Sequence, residues 1–199
     1  MNPPYLVVAA LGVIIAGVSA AHARKPTISA AESRVFHAVN GLPAGLYPLL
    51  WLPMQFGNLL VGTVAGLGVA VVDRDVMAAV GVISTAALKL VAERVIRRRM
   101  ADYLAVRQRP GVSQDGAILR GADVPVSGPS FPSGHVILAA GVGTVVSPIV
   151  GPAWWWVPAS LTLLVMVGRV YVGAHNPLDV TAGLGAGLVL GGGLAALVD

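Results

Sequence analysis

Residues 177–198 read PLDVTAGLGAGLVLGGGLAALV. Beyond Asp179 the run carries no charge, and Gly183, Gly187 and Gly191 recur every four residues. In a soluble helix each such glycine costs about 1 kcal/mol relative to alanine. In lipid the same spacing lets two helices approach closely. The run also matches the roughly 20 apolar residues that a membrane crossing needs. It predicts a transmembrane helix whose glycine stripe is a packing surface. Gly62 and Gly66 repeat the spacing in another apolar segment.

The rest of the chain fits that reading. Of its 199 residues, 56% are hydrophobic and 11% charged, and its mean hydropathy is +0.79. Soluble domains carry about 25% charged residues. A soluble globular domain and a disordered chain are both excluded. Six apolar segments are expected to be helices, at about 4–22, 45–72, 76–97, 135–150, 153–172 and 177–198. The second, with Gln55, Gly57 and Asn58 near its start, is open to division into two pieces. The stretch 29–40 (SAAESRVFHAVN) has the apolar spacing of a helix lying along the membrane surface. No Lys or Arg precedes the apolar run 5–21, so it reads as a first span rather than a signal peptide. The expected fold class is all-α, a polytopic membrane bundle of about six transmembrane helices plus a short interfacial helix. One domain over 1–199 is expected. The absence of cysteine excludes thiolate chemistry. With no solvated basic domain, nucleic acid is not an expected partner.

Six spans bring the ends of the first, third and fifth to one face. That face collects the loops 98–135 and 168–179, and three polar clusters return to it. The first is Arg107-Gln108-Arg109-Pro110. The second is Pro132-Ser133-Gly134-His135, where Ser133 is placed to cap the apolar helix that follows. A helix start offers unpaired N–H donors and positive potential, which suits a phosphate. Taken alone, this cluster reads more plainly as a capped membrane helix with an incidental histidine. The third is Gly168-Arg169, then His175, then Asp179. Asp179 can accept a hydrogen bond from one ring nitrogen of His175 and leave the other unprotonated and nucleophilic. A buried pair that merely pins two helices is the plainer alternative. Ionisable residues at membrane depth are costly, which favours function. Together the clusters supply the cations, nucleophile and acid that phosphoryl transfer requires.

The chain here resembles the type 2 phosphatidic acid phosphatases, membrane lipid phosphate phosphatases of the superfamily that includes vanadium haloperoxidases. The family pattern is K-x6-R-P, then P-S-G-H, then S-R-x5-H-x3-D. Pro132–His135 match the second part in full. Arg169, His175 and Asp179 match the third, with Gly168 in place of serine. Arg109-Pro110 match the end of the first, but Asp102 stands where the lysine belongs. Lys89, Arg94 and Arg97–Arg99 lie further upstream. Arg98, which shares a helix face with position 102, is the expected substitute. The alternative is an insertion that displaces the motif's start.

The resemblance implies a role for each residue. His175 attacks phosphorus and becomes phosphohistidine, and Asp179 orients it. His135 protonates the leaving oxygen and then activates water. Arg109, Arg169, Ser133 and the Gly134 N–H hold the phosphate oxygens. No metal or cofactor is implied, because arginines supply the positive charge.

The expected substrate is a polyprenyl phosphate or diphosphate, or a polyprenyl-linked sugar phosphate. Phosphatidic acid and phosphatidylglycerol phosphate form the second choice. The 111–131 loop, with Arg120 and Phe131, is expected to help select it. A vanadate-dependent haloperoxidase and a non-catalytic lipid-binding or transport protein are the rival readings. Gln55 and Asn58 are expected to make helix–helix hydrogen bonds, and Trp154–Trp156 an interfacial belt. The expected location is a bacterial plasma membrane. Of the 13 Lys and Arg, only Arg74 falls on the face opposite the site. The positive-inside rule then turns the site face to the cytoplasm. The sequence specifies no oligomeric state.

Overall fold

The computed structural model describes residues 3–25, 27–103, 107–122 and 124–198. Nine α-helices form among them: α1 (Pro3–Ala23), α2 (Ala30–Asn40), α3 (Tyr47–Met54), α4 (Leu59–Val72), α5 (Val76–Tyr103), α6 (Pro110–Ser113), α7 (Gly134–Val150), α8 (Trp156–Tyr171) and α9 (Pro177–Val198). No strand forms among the described residues, and Gln108 and Pro129 make one isolated antiparallel bridge.

The helices fall on the six apolar segments, but their lengths differ from six equal spans. Pro4–Ala23, Val76–Ile96 and Pro177–Leu197 are long and apolar enough to cross a membrane. The second segment is two pieces, bent by 73° between Ala44–Gly57 and Leu59–Val72, and counts as a fourth span if taken whole. Asn58 makes the break. Its backbone is extended, and its Oδ1 accepts the N–H groups of Leu60 (3.0 Å) and Val61 (3.3 Å), so a new helix starts there. Gln55 donates to Trp51 of its own helix at 3.1 Å. The helix–helix bonds expected of these two residues are replaced by a cap and a local bond. The other two segments, α7 and α8, have 17 and 16 residues. Both fall short of the roughly 20 that a straight crossing needs.

The glycine stripe behaves as its spacing suggests. A Cβ on Gly187 would stand 2.6 Å from Ala140 Cβ and 2.7 Å from the Ile137 carbonyl oxygen. Gly183 and Gly191 lie equally close to α7. Gly185 and Gly192 put the opposite side of α9 against the backbone of α1. Thus α9 is held between α1 and α7 at distances only glycine permits.

The surface stretch forms α2, capped by Ser29, whose Oγ accepts the Glu32 N–H at 3.2 Å. Its buried residues are Glu32, Phe36 and Asn40, one helical turn apart. Phe36 fills a cluster with Val136, Val165, Val170 and Val180 beneath the site. Asn40 clamps the 111–131 loop, donating to Ile118 O (2.8 Å) and Tyr171 O (2.9 Å) and accepting from Ile118 N (2.8 Å).

Candidate active site

The third motif is set by the end of α8. Gly173 takes a φ of +76°, a conformation that favours glycine. The turn lets the N–H groups of Ala174 (3.0 Å) and His175 (3.2 Å) reach the Arg169 carbonyl. His175 is therefore folded back over Arg169 before α9 begins at Pro177. His175 and Asp179 do not share a helix, although their side chains meet. Gly168, where the family has serine, is explained by a neighbour. A Cβ there would be 2.4 Å from Met54 Cγ and 2.7 Å from its Sδ. Met54 of α3 occupies the space that a serine side chain would take.

The second motif opens α7. The Ser133 N–H donates to the Asp179 carbonyl at 2.9 Å and stitches the starts of α7 and α9 together. Ser133 Oγ makes no capping bond, contrary to the simple cap reading. It is buried and has no hydrogen-bond partner among the described residues. His135, on the first turn, packs against Gly57, where a Cβ would come within 2.7 Å of His135 Cβ. Arg169, His175, Lys89 and Arg109 act electrostatically on its imidazole. Arg109 donates from Nη1 to the Ala174 carbonyl at 2.8 Å, beside His175.

The first motif is displaced. Lys89 and Glu93 of α5 pair at 3.2 Å, and both lie against Gly134. A Cβ on Gly134 would stand 1.5 Å from Glu93 Oε1 and 3.1 Å from Lys89 Cε. Arg98 is exposed and nine residues further along α5, about 14 Å at 1.5 Å per residue. The structure brings Lys89, not Arg98, to the start of α7. The side chain of Asp102 lies outside the described residues.

Asp179 is fully buried, and its oxygens are engaged. Oδ1 accepts from Arg107 Nε at 2.9 Å and Oδ2 from the Asn176 N–H at 2.7 Å. His175 Nδ1 stands 3.8 Å from Oδ2, too far for a hydrogen bond. The expected direct His–Asp bond is thus an electrostatic contact in this state. Burial holds the His175 imidazole below the usual histidine range, and the Asp179 carboxylate pulls the other way. A neutral imidazole is the form in which a histidine can act as a nucleophile.

A cavity of about 30 Å³ lies beside His135 and Arg169, lined also by Tyr47, Trp51, Gln55 and Arg120. Arg120 is held there over the Tyr171 ring at 4.3 Å and by bonds to the Tyr171 (2.7 Å) and Leu42 (3.1 Å) carbonyls. Phe131 is elsewhere, buried with Ala23 and Ala182. A much larger apolar cavity of about 860 Å³ runs from Tyr5 to Trp155 and touches none of the site residues.

Sequence reasoning named Lys89 among the upstream basic residues but preferred Arg98, passed over Glu32 and Asn176, and gave Arg107 no role of its own. Glu32 carried a signal in the Glu-x3-Phe-x3-Asn spacing of α2.

Comparison with known proteins bears on the family and the fold. The sequence model of the PAP2 superfamily matches residues 76–199. An undecaprenyl-diphosphatase of Sulfolobus acidocaldarius is 44% identical over 55 residues, covering 27% of this chain and 26% of that protein. The match thus spans about a quarter of that relative's length. Two crystal structures share the fold, each with a TM-score of 0.68. Aquifex aeolicus LpxE is 21% identical, with 79% of this chain and 90% of that one covered. The first transmembrane PAP2 type phosphatidylglycerolphosphate phosphatase of Bacillus subtilis is 20% identical, with 97% and 94% covered. The chain is an integral membrane protein that belongs to the PAP2 superfamily.

Proposed function

We propose that the protein is a membrane lipid phosphate phosphatase working through a phosphohistidine. The observation that carries the reading is the meeting of His135, His175, Arg109, Arg169 and Lys89 at the start of one helix. In the first step Nε2 of His175 attacks phosphorus and the bond to the lipid oxygen breaks. Protonated His135 gives its proton to that oxygen. In the second step water attacks the phosphohistidine, His135 takes the water's proton, and phosphate leaves. Arg109, Arg169, Ser133 Oγ and the Gly134 N–H stabilise the phosphate oxygens throughout. Polyprenyl phosphates, diphosphates and polyprenyl-linked sugar phosphates are the first substrates to offer, and glycerolipid phosphates the second. The test is phosphate release by the purified, detergent-solubilised protein with EDTA present. Release from one lipid class is expected. No release from any lipid would transfer the reading to a non-catalytic lipid binder.

Lys89 serves in this scheme as the cation that the family places seven residues before Arg109. Here 109 − 89 leaves nineteen residues between them. The helix α5 has 28 residues, so it runs about 21 Å beyond Lys89 before the chain returns. Glu93 is then an internal anion that substrate phosphate must displace. Lys89→Met is expected to raise KM about tenfold, the loss of one charge-assisted hydrogen bond. Glu93→Gln is expected to lower it. Arg98→Gln is expected to leave KM unchanged. Equal effects of Lys89→Met and Arg98→Gln would return the assignment to Arg98.

A further inference from the structure

Neither oxygen of Asp179 is bonded to His175. The guanidinium that takes Oδ1, that of Arg107, is only 3% exposed and bonds a second carboxylate, Glu32 of α2. The same Glu32 oxygen accepts the Leu178 N–H at 2.9 Å, in the first turn of α9. A parallel route leaves α2 at the next residue. Ser33 Oγ donates to Gln114 Oε1 (2.8 Å), Gln114 Nε2 to Asn176 Oδ1 (2.8 Å), and the Asn176 N–H to Asp179. Both routes start on the surface helix and end on one carboxylate.

The charges decide what the arrangement does. An arginine alone beside Asp179 would cancel the anion that supports His175. Glu32 restores it, because two carboxylates around one guanidinium leave a net charge of −1. We infer that Arg107 and Glu32 are positioning residues for Asp179: the guanidinium fixes the carboxylate, Glu32 returns its negative charge, and α2 thereby forms part of the catalytic centre. The inference rests on the reading of His175 as nucleophile. The other charged or titratable groups acting on His175 are Arg169 from α8, Arg109 from the 107–133 loop and His135 from α7. Lys89 and Glu93 of α5 stand behind His135 at the start of α7. All of these stay in place in the variants below.

The experiment is the pH dependence of kcat/KM for the full chain in detergent, with a short-chain lipid phosphate as substrate. Its acid limb reports protonation of the free enzyme's nucleophile. Glu32→Gln removes negative charge near the imidazole. Its acid limb is expected to move down by about half to one pH unit, with kcat reduced. Arg107→Gln removes positive charge, and its limb is expected to move up by a similar amount. The double variant restores the net charge of −1 and is expected to return the limb towards wild type. Arg107→Lys keeps the charge and serves if Arg107→Gln fails to fold; its limb is expected to stay at the wild-type position while kcat falls. Limbs that stay fixed, or that move in the same direction in both single variants, would reduce the triad to a structural pin and overturn the inference. If the wild-type protein releases no phosphate, the phosphatase reading has failed. The His175 titration, followed by NMR in the same variants, still tests the charge argument by the same opposite shifts.

Discussion

His175→Ala is expected to lower phosphate release by about 10⁴-fold or more, because it removes the proposed phosphoryl acceptor. His135→Ala should behave differently. Loss of a general acid and base costs roughly 10²–10⁴-fold, but the two steps need the imidazole for opposite tasks. With 4-nitrophenyl phosphate the leaving group needs no proton. The first step then proceeds without His135, while the second still lacks a base for water. The His135→Ala protein should therefore accumulate covalent phosphate that is labile to acid and absent from His175→Ala. Rapid quench with labelled substrate reads both quantities. Substantial turnover by His175→Ala would remove that residue as the nucleophile. Turnover loss in His135→Ala without trapped phosphate would place His135 in binding alone. The geometry supports the two roles unequally. His175 is buried, folded over Arg169 and set near Asp179. His135 is half-buried on the first turn of α7 and borders the small cavity. Of the two, His175 is the more enclosed and His135 the more open to the cavity.

The parts of the fold legible in the sequence are those fixed by local pattern. Apolar runs place the helices, and the spacing of Gly183, Gly187 and Gly191 names the face of α9 that meets α7. The motif Pro-Ser-Gly-His marks the start of α7 because helix starts are local events, although Ser133 Oγ makes no capping bond there. The site residues that were misjudged depend on lengths and contacts between segments. Position 102 shares a face with Arg98, but nothing in the sequence says at what depth α5 passes α7. The level is set by packing, and it falls at Lys89, 13 residues before Asp102. Helix rise then carries Arg98 out of reach. In the same way, Glu32 reads as a polar residue on a surface helix until Arg107, 75 residues away, supplies its partner. A buried carboxylate is explained only by what neutralises it, and that partner arrives from another part of the chain. The His175–Asp179 spacing puts both side chains on one face only where a single helix covers both residues. Pro177 starts the helix two residues later, and the Asn176 N–H and Arg107 take the oxygens first.

Gly187→Ala should strongly damage the contact between α9 and α7. The new carbon would meet Ala140 Cβ at 2.6 Å, the Ile137 carbonyl oxygen at 2.7 Å and the Gly141 nitrogen at 3.1 Å. Two of those contacts are backbone atoms inside α7, which cannot rotate aside, so the helices must separate. Overpacking of this kind costs about 1–3 kcal/mol, partly offset by about 1 kcal/mol from alanine's better helix propensity. Gly193→Ala is the control. It lies in the same helix, adds the same atom, and meets nothing within 4 Å, so only the helix-propensity gain remains. Thermal unfolding in detergent should show the first variant destabilised and the second unchanged or more stable. Activity should separate further than stability. The 2.9 Å bond from the Ser133 N–H to the Asp179 carbonyl joins these two helices at the site. A shift of about 1 Å between reacting groups costs on the order of 10²-fold in rate. Gly187→Ala should therefore lose most of its kcat even at temperatures where it remains folded. Equal melting temperatures for the two variants would show that α7 and α9 can yield at Gly187. The glycine stripe would then have no part in holding Ser133, His135 and Asp179 in register.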